Sequence, residues 1–185
     1  TKATKGKLGE EGNFKIDLQL FAEIGLVGLP NAGKSSLLNA VTNAQAKIGS
    51  YQFTTLDPNL GDFYGHIIAD IPGLIEGASE GKGLGIKFLR HIKRTKTLMH
   101  LVSLENEKPL DVYKKIRKEL GAYDKSLLEK EEIIVLTKTD VVSDLKIIEK
   151  RKKEFEKLGN PVLTLSLYDD ASVKAFMKEL AKMLK

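Results

Sequence analysis

One short stretch near the start of the chain constrains its fold more than any other. An apolar run at residues 24–27 leads into a loop with two glycines, and a helical pattern at 33–43 follows. The loop has the spacing GxxxxGK[ST], in which glycines let backbone N–H groups point inward at phosphate oxygens. The order strand, loop, helix therefore predicts a phosphate-binding P-loop. Its predicted residues are Gly28, Leu29, Pro30, Asn31, Ala32, Gly33, Lys34, Ser35 and Ser36.

Three polar side chains are predicted to serve the phosphates and a metal ion. Lys34 would place its charge on the β- and γ-phosphates, and Ser35 would offer a hydroxyl to Mg²⁺. Asp70 follows an apolar run, and a carboxylate at such a strand end would hold Mg²⁺ through water. An ordinary turn is the alternative for this DxxG pattern. The remaining predicted contacts of the motif are Ile71, Pro72 and Gly73, with the Gly73 N–H on the γ-phosphate.

Strand-like and helix-like segments alternate along the chain. Strands are predicted at 23–28, 66–71, 98–104, 132–137 and 161–166, and helices at 33–43, 84–96, 109–123, 144–158 and 171–184. Such alternation implies a parallel sheet with helices on both faces. We therefore predict an α/β fold of the P-loop NTPase class, doubly wound around a mostly parallel six-stranded sheet. Residues 22–185 would form this domain, with 1–21 a linker or tail from a preceding domain.

A motif after the fourth predicted strand indicates which base is bound. Thr137, Lys138 and Asp140 resemble the NKxD base-reading motif of GTPases, although a polar turn after a strand is the alternative. The carboxylate of Asp140 only accepts hydrogen bonds, and guanine offers two adjacent donors where adenine has an acceptor. GTP is thus favoured over ATP. The aliphatic part of the Lys138 side chain can lie along the base. Thr137 stands where asparagine is usual, which weakens one polar contact.

Two further loops complete the predicted nucleotide site. Ser166, Leu167 and Tyr168 follow the last strand, at the place of the final guanine-contacting loop. Leu167 stands where alanine is usual, but a backbone N–H serves with either residue. A loop at 53–61, between the first helix and the second strand, has the character of a switch that orders with GTP. Its predicted contacts are Phe53, Thr54 and Thr55, with the Thr55 hydroxyl on Mg²⁺; two threonines in an ordinary loop are the alternative.

The runs at 51–61 and 69–92, the second containing PGLIEGAS, GKGLG and FLRHI, resemble the GTPase domain of the Obg family of bacterial ribosome-associated GTPases. The resemblance implies slow hydrolysis of GTP to GDP and phosphate, in a switch acting in large ribosomal subunit assembly. Lys34, Thr55 and Gly73 would be the catalytic residues and Mg²⁺ the cofactor. Members carry a glycine-rich domain before the GTPase domain, and residues 4–12 look like its trailing end. We therefore expect an isolated GTPase domain or a trimmed protein.

The position after Gly73 affects the expected rate. Leu74 stands where Ras-like enzymes have the glutamine that orients the attacking water. Hydrolysis by the domain alone should therefore be slow, at about 10⁻⁴–10⁻² s⁻¹. GTPases that use K⁺ in place of an arginine finger are similar to this chain in having asparagine at the position of Asn31. We hypothesise that the Asn31 amide oxygen coordinates K⁺ between the phosphates.

Composition adds limits on partners and location. The chain has 30 Lys and Arg against 25 Asp and Glu, a mild net charge of +5, and no cysteine. The lack of cysteine suits a reducing, cytoplasmic setting. No apolar run reaches the ~20 residues that a membrane span needs. We expect a monomer. From the residues alone, a basic run suits a solvated helix face, whereas the family resemblance implies that this run contacts ribosomal RNA. It comprises Lys87, Arg90, His91, Lys93, Arg94 and Lys96.

Two other functions remain open from the sequence. Leu74 and Thr137 also suit a nucleotide-dependent binding module that binds the ribosome or a protein with negligible hydrolysis. A P-loop ATPase or kinase is a further alternative, against which Asp140 argues.

Overall fold

The computed structural model describes residues 9, 12, 22–42, 59–70, 92–93 and 95–184. The strands are β1 (Ile24–Val27), β2 (Asn59–Phe63), β3 (His66–Asp70), β4 (Thr97–Ser103), β5 (Glu131–Thr137) and β6 (Val162–Leu165). The helices are α1 (Lys34–Val41), α2 (Pro109–Tyr123), α3 (Leu145–Glu156) and α4 (Asp170–Met183), with short 3₁₀ turns at Lys125–Leu128 and Thr139–Val141.

The strands form one six-stranded sheet in the order β2-β3-β1-β4-β5-β6. All neighbouring pairs are parallel except β2 with β3. The near-continuous apolar runs of β1, β4 and β5 explain their central place, because a central parallel strand is buried on both faces. The predicted mostly parallel six-stranded sheet is confirmed. Its parallel strands bring their carboxyl ends to one edge, where ligands bind in such folds.

Alternate residues of the central strands pack on opposite helical layers. Leu101 and Val135 face one core cluster, which includes Leu37 of α1 and Phe176 of α4. On the other face, Val102 of β4 packs in a cluster with buried residues of α2 and α3. Helices therefore cover both faces of the sheet, as predicted. None of the helices in the described ranges combines the length and apolarity needed to cross a membrane.

One element contradicts the sequence prediction. Residues 59–61, predicted to end a loop, belong to β2, which pairs antiparallel with β3 through a tight turn at Tyr64 and Gly65. The run NLGDF contains three residue types that are rare in strands, so its local preference argues against a strand. Pairing with β3 and burial of Phe63 outweigh that preference.

The other predicted elements within the described residues agree with the structure to within two residues at each end. The predicted helix at 84–96 lies mostly outside the described residues.

Candidate functional site

The loop between β1 and α1 requires glycine at two positions. A Cβ on Gly28 would lie 2.5 Å from the carbonyl oxygen of Leu101, because β4 passes directly beneath the loop. Gly33 has φ 95° and immediately precedes α1, in a backbone region that glycine adopts without strain. The glycines of the motif therefore shape the loop and let it lie against the sheet. Its next residue, Lys34, begins the helix.

The ammonium group of Lys34 turns back over the loop. Its Nζ donates to the carbonyl oxygens of Gly28 and Leu29, each over 3.0 Å. Loss of hydration lowers the pKa of Lys34, and the charge of Asp70 opposes that change. The cation is thus held above the loop by neutral carbonyls, in a place where anionic phosphate oxygens would be stronger partners.

Ser35 and Asp70 form a hydroxyl–carboxylate pair at the carboxyl end of β3. The Ser35 hydroxyl donates to Oδ2 of Asp70, which is 3% exposed. Parallel pairing of β1 with β3 sets Asp70 opposite Leu26. Leu26 lies two residues before the start of the phosphate loop at Gly28. The other carboxylate oxygen, Oδ1, is buried and has no hydrogen-bond partner among the described residues. A hydroxyl and a carboxylate with a spare oxygen are the hard donors that suit Mg²⁺.

Thr137 connects the base-reading motif to the phosphate loop. Its hydroxyl donates to the carbonyl oxygen of Ala32 over 2.8 Å, and its side chain is buried. The threonine therefore makes a polar contact at the position where asparagine is usual. The next residue, Lys138, has a left-handed backbone with φ 58° and pairs through Nζ with Glu105.

Asp140 is anchored by the loop that follows β6. Its Oδ1 accepts a 2.7 Å hydrogen bond from the hydroxyl of Ser166. The N–H of Tyr168 donates to the same hydroxyl over 3.3 Å, and the residue itself is 92% exposed. The N–H of Ser166 donates to Ser172 Oγ over 3.0 Å. Of three successive backbone N–H groups, only that of Leu167 has no acceptor within the described part of the chain.

The phosphate and base sides of the site are neighbours. A Cβ on Gly33 would come within 3.9 Å of the Leu167 side chain, which itself packs on the core. Asn31 is exposed with φ 61°, and its side chain makes no hydrogen bond to any described residue. Pro30 and Ser36 are also exposed. The predicted contacts that fall outside the described residues are Phe53, Thr54, Thr55, Ile71, Pro72 and Gly73.

Sequence reasoning missed two residues at this edge. Glu105 lies just beyond the carboxyl end of β4, where its backbone N–H donates to Ser103 Oγ over 3.2 Å. Its position at a strand end is a signal that could have identified it. Ser172 carries no such signal, because its contact with Ser166 depends on how α4 packs beside β6.

Comparison with known proteins places this geometry in a family. A family model described as 50S ribosome-binding GTPase matches residues 23–138. The chain is 50% identical over 183 residues to GTPase Obg of Pelagibacter ubique, covering 97% of this chain and 56% of that protein. It is 45% identical over 189 residues to GTPase Obg of Persephonella marina, covering 98% and 56%.

The chain thus spans about half the length of these curated relatives. Among solved structures, a GDP-bound mutant of S. thermophilus NFeoB aligns with a TM-score of 0.62 at 23% identity, over 85% of this chain and 60% of that one. That likeness shows the fold alone. The chain belongs to the family of 50S ribosome-binding GTPases, and along nearly its whole length it is similar to the GTPase Obg proteins.

Proposed function

We propose that this chain binds GTP with Mg²⁺ and slowly hydrolyses it to GDP and phosphate, as a switch in large ribosomal subunit assembly. The observation that carries the proposal is the pairing of two half-sites at one sheet edge. Lys34, Ser35 and Asp70 form the phosphate half, and Asp140 forms the base half with the Leu167 N–H, which has no acceptor in the described part of the chain. Residues 22–185 would act as the GTPase domain, with 1–21 as a linker.

The base half matches guanine by hydrogen-bond pattern. Asp140 is an acceptor whose direction is set by Ser166, and the N–H of Leu167, the residue after Ser166, is a donor with no acceptor among the described residues. Guanine presents N1–H and the 2-amino group as donors and O6 as an acceptor, which is the complementary set. Adenine would place its N1 acceptor against the carboxylate, which is also an acceptor. A site that binds its base through hydrogen bonds strongly rejects a base that cannot make them.

The phosphate half supplies charge to the transferred group. Lys34 would exchange its two carbonyl partners for phosphate oxygens, which attract the cation more strongly. Ser35 and Asp70 would hold Mg²⁺, which neutralises charge on the phosphates when bound. We keep Thr55 and Gly73 as the proposed γ-phosphate contacts. Since Leu74 cannot hydrogen-bond a water, catalysis rests on positioning and electrostatics, and we expect slow turnover without a partner.

Two measurements test the enzyme proposal. Calorimetry should give at least a 100-fold tighter Kd for GDP than for ADP; equal affinities would instead favour the ATPase or kinase reading. Single-turnover phosphate release should then be detectable for the chain alone and faster with purified 50S subunits. Release that stays at the background rate in both conditions would leave only a nucleotide-dependent binding module.

For the ribosomal partner, α3 offers a basic surface within the described residues. Three exposed lysines of α3 and a fourth directly after it lie on the solvent side, opposite buried Phe155, and form no ion pair within the described chain. Their spacing of i, i+4, i+7 and i+11 sets like charges side by side, which disfavours the helix. Phosphates of RNA would relieve that repulsion. The four are Lys146, Lys150, Lys153 and Lys157.

Charge reversal tests the α3 surface as a ribosomal contact. Co-sedimentation with 50S subunits should weaken in Lys150→Glu/Lys153→Glu and lose part of its salt dependence. The matched control is Lys174→Glu/Lys178→Glu, a second pair of exposed lysines about one helical turn apart, on α4. Equal loss in both variants would assign the effect to net charge and exclude α3 as the contact.

The hypothesis that Asn31 binds K⁺ has its own test. Its exposed side chain, free of hydrogen bonds to described residues, is available to a cation beside the phosphates. Hydrolysis should be faster in KCl than in NaCl at equal ionic strength, and Asn31→Ala should remove the difference. Equal turnover in the two salts would exclude the hypothesis.

A further inference from the structure

A serine on α4 holds the loop that closes the base half of the site. Ser172 accepts the N–H of Ser166 over 3.0 Å, and Ser166 is only 4% exposed. A buried N–H without a partner is costly, so this bond stabilises one conformation of the loop. The helix does not need Ser172 as a cap, because Asp169 already accepts the Ala171 N–H at its start. The Ser172 hydroxyl therefore serves the loop.

The loop transmits this constraint to the carboxylate. With its N–H fixed by Ser172, Ser166 directs its hydroxyl proton to Asp140 Oδ1 over 2.7 Å. The same hydroxyl oxygen accepts the Tyr168 N–H over 3.3 Å, so both its donor and an acceptor site are in use. Two hydrogen bonds in series thus join Ser172 of α4 to Asp140, and the bond from the Tyr168 N–H holds the hydroxyl that links them.

We propose that Ser172 is a positioning residue for guanine selectivity, acting through Ser166 on Asp140. The inference rests on the proposed guanine site and adds a residue that never touches the base. A carboxylate can meet N1–H and the 2-amino group together only in one orientation. Inosine lacks the 2-amino group, so one bond to its N1–H tolerates a wider range of orientations. Loss of the Ser172 hydroxyl should therefore weaken GDP binding more than IDP binding.

The test uses two nearly isosteric variants of the full chain. Ser172→Thr keeps the hydroxyl and adds a methyl group, whereas Ser172→Val adds the same methyl group and has a second one in place of the hydroxyl. Kd values for GDP, IDP and ADP are measured by calorimetry for both variants and the wild-type chain. We expect the GDP-over-IDP preference to fall about three- to tenfold in Ser172→Val and to be restored in Ser172→Thr.

Ser126→Ala is the control, since Ser126 is an exposed serine in the 3₁₀ turn at Lys125–Leu128. It should leave all three Kd values unchanged. Equal weakening of GDP and IDP in Ser172→Val would show a merely structural role and overturn the inference, as would an unchanged preference. A wild-type chain that binds GDP no better than ADP would overturn the guanine site itself. A wild-type preference for GDP that Ser172→Val retains in full would overturn only the role of Ser172.

Discussion

The hydroxyl of Thr137 donates a 2.8 Å hydrogen bond to the carbonyl oxygen of Ala32, residues that are far apart in the chain. The bond joins the end of β5 to the phosphate loop, so the proposed base and phosphate halves share one rigid contact. Both groups are buried, and neither could turn to water if the other were removed. The threonine thus keeps a polar link at the position where asparagine is usual in the base-reading motif.

Removing this hydroxyl should destabilise the fold and loosen the phosphate loop. We expect Thr137→Val to lower the free energy of unfolding by about 1–3 kcal/mol, because the Ala32 carbonyl is left without its donor. Urea unfolding with and without GDP measures the change. Thr164→Val is the control, since Thr164 lies in the neighbouring strand and its hydroxyl bonds to no described group. A loss of the same size in the control would assign the effect to the strand substitution.

Lys34 should be needed for nucleotide binding but not for folding. Its described hydrogen bonds go to two neutral carbonyls of the loop, and loss of hydration disfavours its charge there, so the folded chain gains little from the ammonium group. We expect Lys34→Met to weaken GDP binding about 100-fold, since charge-assisted contacts to phosphate are lost. Calorimetry measures the affinity and circular dichroism the fold. Lys174→Met, at an exposed site on α4, should change neither; an unaltered Kd in Lys34→Met would contradict the assignment.

Asp140 should determine which purine is bound. Asparagine in its place keeps an oxygen for Ser166 and presents an N–H₂ donor where the carboxylate presented an acceptor. Xanthine carries a carbonyl at the position of the guanine 2-amino group, so Asp140→Asn should weaken GDP about 100-fold and strengthen XDP. Competition binding with both nucleotides checks the exchange. Asp111→Asn, an exposed change in α2, should keep the wild-type order, and loss of both nucleotides alike would exclude base reading.

A buried carboxylate beneath α2 should govern acid stability. Glu132 is 1% exposed and accepts from Tyr113 over 2.8 Å, with His100 Nδ1 at 3.0 Å and Arg117 at 3.5 Å. Burial alone raises its pKa, but the hydrogen bonds and the positive charge of Arg117 outweigh burial, so the pKa lies below its ordinary value of 4.5. The carboxylate therefore stabilises the fold above about pH 4.5, and this contribution is lost as the pH falls further.

Glu132→Gln checks both parts of this argument. At pH 7 we expect it to lower the free energy of unfolding by about 3 kcal/mol, because Arg117 loses its buried partner. Below pH 4.5 its stability should fall less steeply than that of the wild-type chain. Urea titrations from pH 3 to 7 make the comparison, with Glu129→Gln at an exposed position as the control. Parallel pH profiles for the wild type and Glu132→Gln would contradict the pKa direction.

Most of the sheet could be predicted because its evidence is local. Apolar runs predict β1, β4 and β5 from their own residues, and the same holds for the loop that ends at Lys34. β2 could not be predicted in this way, because its five residues favour a strand only once β3 lies beside them. The residues of the candidate site also fall into a group that local patterns predict and a group that they do not. Asp140 and Asp70 were predicted from motif spacing, whereas Glu105 and Ser172 have no motif of their own.

The sequence by itself determined the phosphate loop, the order of strands and helices, and the residue types that meet at the carboxyl edge. Each of these follows from neighbours a few positions apart, whose spacing expresses backbone geometry directly. Only the tertiary structure decided that Thr137 bonds to Ala32, that Ser172 holds Ser166, and that Glu132 is buried with compensating partners. Those contacts join distant segments, and their partners are chosen by packing of helices on the sheet, which no local pattern encodes.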